Sequence, residues 1–157
     1  MAGSSGYLYV VRMAPTALTT AKTLIQVVAG AAPFDLIGAT VSQVTKSTTE
    51  MLRIQVLRKT AVATVTAFTP LLTNPVDPAA LAVGGTTATG VNATAEGTNG
   101  DVLEDRVWNI LTGTWEYAPI PEARKRAAQA GNLALVLITA PAASMTIAAT
   151  LEIIEYR

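Results

Sequence analysis

The side chains able to do chemistry are few in this sequence, and their types already narrow its function. The 157 residues include no histidine and no cysteine. Without histidine the commonest general base and metal ligand are gone, and without cysteine so are thiolate chemistry and any disulfide framework. A serine therefore has no imidazole partner, and a Ser-His-Asp triad cannot be assembled. The densest carboxylate group is Asp101, Glu104 and Asp105. Asp101 and Asp105 fall on one strand face, where a hard cation such as calcium is conceivable. No further ligand converges on them in sequence, so a solvated strand edge is the expectation. Glu152 and Glu155 fall on opposite strand faces, which is wrong for a paired acid and base. The GGTTATG run at 84–90 lacks the lysine and the strand-to-helix setting that cradle a phosphate. The sequon at Asn92, Ala93 and Thr94 follows no secretory signal and reads as chance. These residues predict no catalytic site, no metal and no cofactor.

The side chains suited to contact are more plentiful. Trp108, Trp115 and Tyr117 could form a platform for stacking sugars, but such residues more often anchor a core or an interface. Arg124, Lys125 and Arg126 form a short basic run, read as a solvated face with contact to an acidic partner as the alternative. Tyr7, Tyr9 and Val11 alternate along the first strand candidate. The expected interface set is thus Tyr7, Tyr9, Val11, Trp108, Trp115, Tyr117, Arg124 and Arg126.

The elements that must position them follow a period of two. Residues 132–156 contain two apolar runs around a loop at Pro141. Leu133, Leu135 and Leu137 share a face in the first run; Met145, Ile147, Ala149, Leu151 and Ile153 share one in the second. That pattern predicts a hairpin at the centre of an all-β domain. A membrane helix over 132–151 has the right length, yet Pro141 and the two-residue period oppose it. Further strands are expected over 7–13, 22–29, 34–44, 51–59, 62–69, 102–110 and 114–117. In 51–59, Leu52, Ile54 and Val56 point inward, with Arg53, Gln55 and Lys59 outward. Residues 74–100 are rich in Pro, Gly, Thr and Ala and read as a long surface excursion, with a helical turn near 77–81. The PEARKRAAQAG segment at 121–131 has Pro at its start and Gly at its stop, and predicts the one short helix. The expectation is an all-β, jelly-roll-like antiparallel β-sandwich of about eight or nine strands with at most one short helix. Its domains would be residues 1–20, an N-terminal arm and first strand, and residues 21–157, a single sandwich with a long loop at 70–101.

Bulk composition bears on partners. Hydrophobic residues make up 50%, charged residues 14% and aromatics 5%, and the net charge is zero. Neutrality gives no footprint for nucleic acid or anionic lipid, so neither nucleic acid nor membrane is expected as a partner. High apolar content at zero net charge favours association, hence a homo-oligomer. The N-terminus carries no basic region before its apolar residues, so no signal peptide is expected.

The order of these segments resembles the jelly-roll head decoration, or cement, proteins of tailed bacteriophages. The likeness is carried by AKTLIQV at 21–27, FDLIGATVS at 34–42, MLRIQVLRK at 51–59, AFTPLL at 67–72 and NPVDPAA at 74–80. It closes with AGNLALVLI at 130–138 and AATLEIIE at 148–155, and covers roughly residues 20–155. The RKRAAQ run at 124–129 departs from the pattern as an insertion. The resemblance implies a jelly-roll trimer on the outer capsid surface, bound to the major capsid protein, assembled in the host cytoplasm and without catalysis. Residues 1–6 and the following strand could then add to a neighbour's sheet edge. A tail, neck or fibre component and a carbohydrate-binding sandwich are the alternatives.

Overall fold

The fold, taken from a computed structural model, is described for residues 6–46 and 48–157. Twelve strands follow one another among them: β1 (Gly6–Leu18), β2 (Lys22–Val28), β3 (Phe34–Gln43), β4 (Met51–Ala61), β5 (Thr64–Ala67), β6 (Leu71–Leu72), β7 (Gly90–Ala95), β8 (Thr98–Asn109), β9 (Trp115–Tyr117), β10 (Lys125–Ala127), β11 (Asn132–Leu137) and β12 (Met145–Tyr156). The expected nine are present, and β6, β7 and β10 are additional. One sheet runs β10-β3-β12-β1-β6 with β9 also on β3; the other runs β5-β7-β2-β11-β4-β8. All the strand pairs are antiparallel. From β1 to β4 each strand lies in the opposite sheet from its predecessor, and β8 to β9 and β11 to β12 cross again. This gives the layers β1-β12-β3-β9/β10 and β2-β11-β4-β8, the winding of a jelly roll.

The core lies between the sheets and follows from alternation. On β12 every second residue from Met145 to Ile153 is buried. These side chains meet Leu133, Leu135 and Leu137 of β11, Ile54 and Leu52 of β4, and Leu24, Ile25 and Val27 near β2 in one cluster. β1 pairs with β12 from Gly6 opposite Tyr156 to Leu18 opposite Met145, with a bulge between Met13 and Thr16. Pro15 lies in that bulge, where the missing N–H disturbs no regular ladder bond.

Several expectations need correction. Strands β11 and β12 do not form a hairpin, since β11 pairs with β2 and β4 while β12 pairs with β1 and β3. The Pro141 connection therefore passes between sheets, and each strand is better satisfied by an older neighbour than by its successor. The stretch expected as a loop at 70–101 holds β6, β7 and the start of β8. Gly90–Ala95 is joined to β2 and β5, while Thr98 and Asn99 pair with Ala61 and Lys59. Small side chains hid β7 because it packs against Ala63 and Val65 in a minor cluster that asks for nothing larger. The turn expected near 77–81 is not helical. At 121–131 the helix shrinks to a single 3₁₀ turn at Pro121–Ala123, followed by β10.

Gly97, at φ +65, turns β7 into β8; a Cβ there would stand 2.3 Å from the Ala61 carbonyl oxygen. Only glycine fits such a close approach in that conformation. The resulting arch lies over the outer side of β2, β4 and β11. Lys59 and Thr23 are buried beneath it, bonded to Glu96, while Gln55 is buried beside Asp105 and Gln26 beside Ala63, so Gln55 and Lys59 are buried rather than outward-facing. Ala134 and Val136 on the outer face of β11 join Leu57 in a second apolar cluster.

Candidate functional site

Five of the eight side chains expected at an interface belong to the protein's own core. Tyr9, Val11, Trp108, Trp115 and Tyr117 are all buried. The Tyr9 hydroxyl donates to the Pro78 carbonyl at 2.7 Å and accepts from Arg157 at 3.1 Å. Trp108 donates its indole N–H to the Gly113 carbonyl at 2.9 Å, closing the turn between β8 and β9. Tyr117 donates to Ala123 at 3.2 Å. The Trp115 indole nitrogen is buried without an acceptor among the described residues. These rings face inward because β9 alternates buried and exposed positions, with Glu116 taking the outward one. A sugar platform needs an exposed aromatic face, so that alternative loses its residues.

The other three reach the surface. Tyr7 is half-buried, and the Arg157 guanidinium lies 5.5 Å from its ring centre. Arg124 is half-buried, with a buried Nε that has no hydrogen-bond partner among the described residues. The Arg126 side chain is 60% exposed and makes a fork with Asp35, Nε to Oδ1 at 2.6 Å and an Nη to Oδ2 at 2.9 Å. It also stacks 5.2 Å above Tyr156, whose hydroxyl donates to the same Asp35 at 2.9 Å. Burial pushes the Asp35 carboxyl up, but the Arg126 and Tyr156 hydrogen bonds outweigh it and hold the group below the usual carboxylate range.

The carboxylate cluster of β8 is divided among separate cations. Asp105 is gripped by Arg53 and accepts from Gln55 at 3.0 Å. The Arg53 hydrogen bonds are the main reason its pKa falls to about 2. Glu104 lies beside Arg106 at 2.5 Å and Lys125 at 3.9 Å, while Asp101 is exposed and 4.0 Å from Arg58. Among the described residues no three potential ligands gather around a point. Nor is any helix among them long and apolar enough to cross a membrane; residues 132–151 belong instead to β11, β12 and their connection.

Two strand edges carry exposed apolar residues beside them. On its inner side β1 is bonded to β12 along its length, so it is no free arm; on its outer side, among the described residues, its strand partner is β6, at Tyr9 and Val10. Beyond Val10 this edge faces an open groove of about 530 Å³ lined by Arg12, Met13, Pro15, Phe68, Val91 and Thr150. Leu71, Leu72 and Val76 stand exposed nearby in sequence to the covering strand. The second is β8, an edge strand with Val102 and Val107 exposed. Its charged residues Asp101, Glu104, Asp105 and Arg106 blunt that edge against indiscriminate pairing. The β1 edge carries fewer charges and a deeper apolar rim. Residues 1–5, expected to lead into this strand, lie outside the described residues.

Sequence reasoning missed a polar seam under the arch. It comprises Thr23, Lys59, Glu96, Asn99 and Asn132, whose partners are far apart along the chain; Gln26, bonded to Ala63 and Ala88, is a separate buried polar anchor. It also missed Glu155, a wholly buried carboxylate that accepts from the backbone N–H groups of Leu81 and Ala82 at 3.0 and 2.8 Å. Nothing local marks these residues. Only the anomaly of a charged side chain in an apolar alternation, as at Lys59 and Glu155, hints at them.

No protein-family model, curated protein or solved structure matches the chain.

Proposed function

We propose that the protein is a non-catalytic virion component, a decoration subunit that binds the outside of a tailed-phage head and stabilises the shell. The observation that carries the reading is a jelly-roll winding joined to a partly unpaired β1 edge beside an apolar groove. Sheet edges and apolar rims are what a cementing subunit uses, because backbone pairing needs no chemical motif. Repeated over a lattice, individually weak contacts add up through effective concentration. Several of the carboxylates and cations, in turn, are engaged with one another inside the chain, as in Arg53 with Asp105, Arg126 with Asp35 and Arg157 with Glu155. The partners in this reading are further copies of the chain, forming a trimer, and the major capsid protein. Assembly takes place in the host cytoplasm and ends on the capsid surface.

The test is direct. Antibody against the chain should label the outside of purified heads, with the chain in fixed ratio to the shell protein, and sedimentation equilibrium should give a trimer. Lys in place of Leu71 and Leu72 should weaken head binding while leaving the fold intact. Label confined to the tail or neck would move the subunit elsewhere in the virion. A monomer that leaves heads unlabelled refutes the proposal.

A further inference from the structure

Lys59 sits where an amine is rarely placed without consequence. Its side chain is 0% exposed. Nζ donates to the Glu96 backbone carbonyl at 2.6 Å and to the Asn99 side-chain oxygen Oδ1 at 2.8 Å. The Glu96 carboxylate stands 3.9 Å from the same Nζ. Lys59 and Asn99 face each other across β4 and β8. The backbone beneath the lysine is clamped by Asn132, which accepts from the Lys59 N–H at 2.7 Å and donates to its carbonyl at 3.0 Å. Glu96 is fixed in turn by the Thr23 N–H and hydroxyl, the latter at 2.6 Å. Amine, carboxamide and carboxylate are therefore gathered at one point by three separate anchors.

We propose that Lys59 and Asn99 are the site of a self-catalysed amide cross-link, in which Lys59 Nζ bonds to Asn99 Cγ and Glu96 carries the proton. An amine attacks a carboxamide only as the neutral base. Burial favours that form by pushing the lysine pKa down, against the opposing pull of Glu96. The last torsion of an asparagine side chain is soft, so a modest rotation turns the carbonyl carbon toward Nζ. The Nζ lone pair then forms the Nζ–Cγ bond as the carbonyl electrons move onto Oδ1. A proton passes from Nζ to the Glu96 carboxylate and on to Nδ2. The carbonyl re-forms, the Cγ–Nδ2 bond breaks and ammonia leaves. One amine and one carboxamide become one secondary amide and ammonia, with no oxidant, nucleotide or metal in the balance. Asn99 is exposed, which gives the ammonia a path to water. The poor leaving group is offset by enforced proximity, for which effective molarities reach about 10⁵ M or more. The product would tie β4 to β8 beside the arch, in the isolated chain and whatever its partners.

Intact-mass spectrometry of the purified full-length protein tests this. The folded chain is expected to be one ammonia lighter than its sequence mass, and its digest should contain a branched peptide joining Lys59 to Asn99. Lys59→Arg and Asn99→Ala should each show the full mass of their own sequences. Glu96→Gln should leave the two residues unjoined, and a bond in that variant overturns the role given to Glu96. Loss of the initiator methionine alters all four proteins alike and cannot mimic the difference. The wild-type measurement stands even if a variant fails to fold. A folded wild-type chain at full mass, with Lys59 and Asn99 in separate linear peptides, overturns the proposal.

Discussion

Glu155→Ala should be among the costliest single substitutions in the protein although it removes no apolar packing. The carboxylate is fully buried near the end of β12 and holds the 73–89 connection from inside. Its removal strands the Ala82 N–H, which is buried, and the Leu81 N–H, which is half-buried. An orphaned buried donor costs about 1–3 kcal/mol, so the two together should cost about 2–4 kcal/mol once the partial exposure of Leu81 is allowed for. Arg157 is released less severely, because it also donates to Tyr9 and Ala79. Glu155→Gln keeps one acceptor and should cost roughly half as much. Glu152→Ala supplies the control on the same strand: that side chain is exposed, and its loss should stay within about 0.5 kcal/mol. Urea unfolding followed by Trp108 and Trp115 fluorescence reads all three, with an unchanged slope showing that the same surface unfolds. Limited proteolysis should find residues 73–89 newly cleavable in Glu155→Ala alone. If Glu155→Ala and Glu152→Ala unfold at the same urea concentration, the anchoring role is wrong.

Leu135→Ala, at a site with no exposure and two strand neighbours, should cost about 2–5 kcal/mol by urea unfolding. A loss below 1 kcal/mol, on the same scale, would mean β11 does not face the intersheet core. Trp115→Phe should cost less than about 1.5 kcal/mol, since the indole N–H makes no bond, whereas Trp115→Ala should cost about 3–5 kcal/mol. A loss for Trp115→Phe well above about 1.5 kcal/mol would show that the N–H has a partner. Asp105 has a folded pKa of about 2 against an ordinary 3.8, so its contribution is complete above the ordinary value and fades as pH falls towards 2. A carboxyl NMR titration should place its midpoint there, and Arg53→Ala should return it towards the ordinary range. A wild-type midpoint already at the ordinary value would remove the Arg53 fork from solution.

Alternation made the fold class legible. Leu52, Ile54 and Val56 on β4, and the five inward residues of β12, alternate in the sequence as they do in the core. The partner of each strand was not legible. Leu133 and Met145 are adjacent apolar runs, and a hairpin is the local solution; the actual ladders unite β11 with β2, more than a hundred residues earlier. β7 escaped notice because a strand that packs on alanine needs no bulky face of its own. The contact residues were misjudged for a related reason: an aromatic looks the same in sequence whether it faces a partner or its own core. The buried roles of Glu155, Asp35 and Lys59 were not legible because each is satisfied by groups remote along the chain, which sequence spacing cannot display.

Gly6 stands opposite Tyr156 at the end of the longest ladder in the protein. Tags or displayed peptides appended through either of these strands would emerge from the same pole. A short linker from residue 157 back to residue 6, with new ends opened at the Gly113 turn, should yield a circular permutant that keeps every ladder of both sheets.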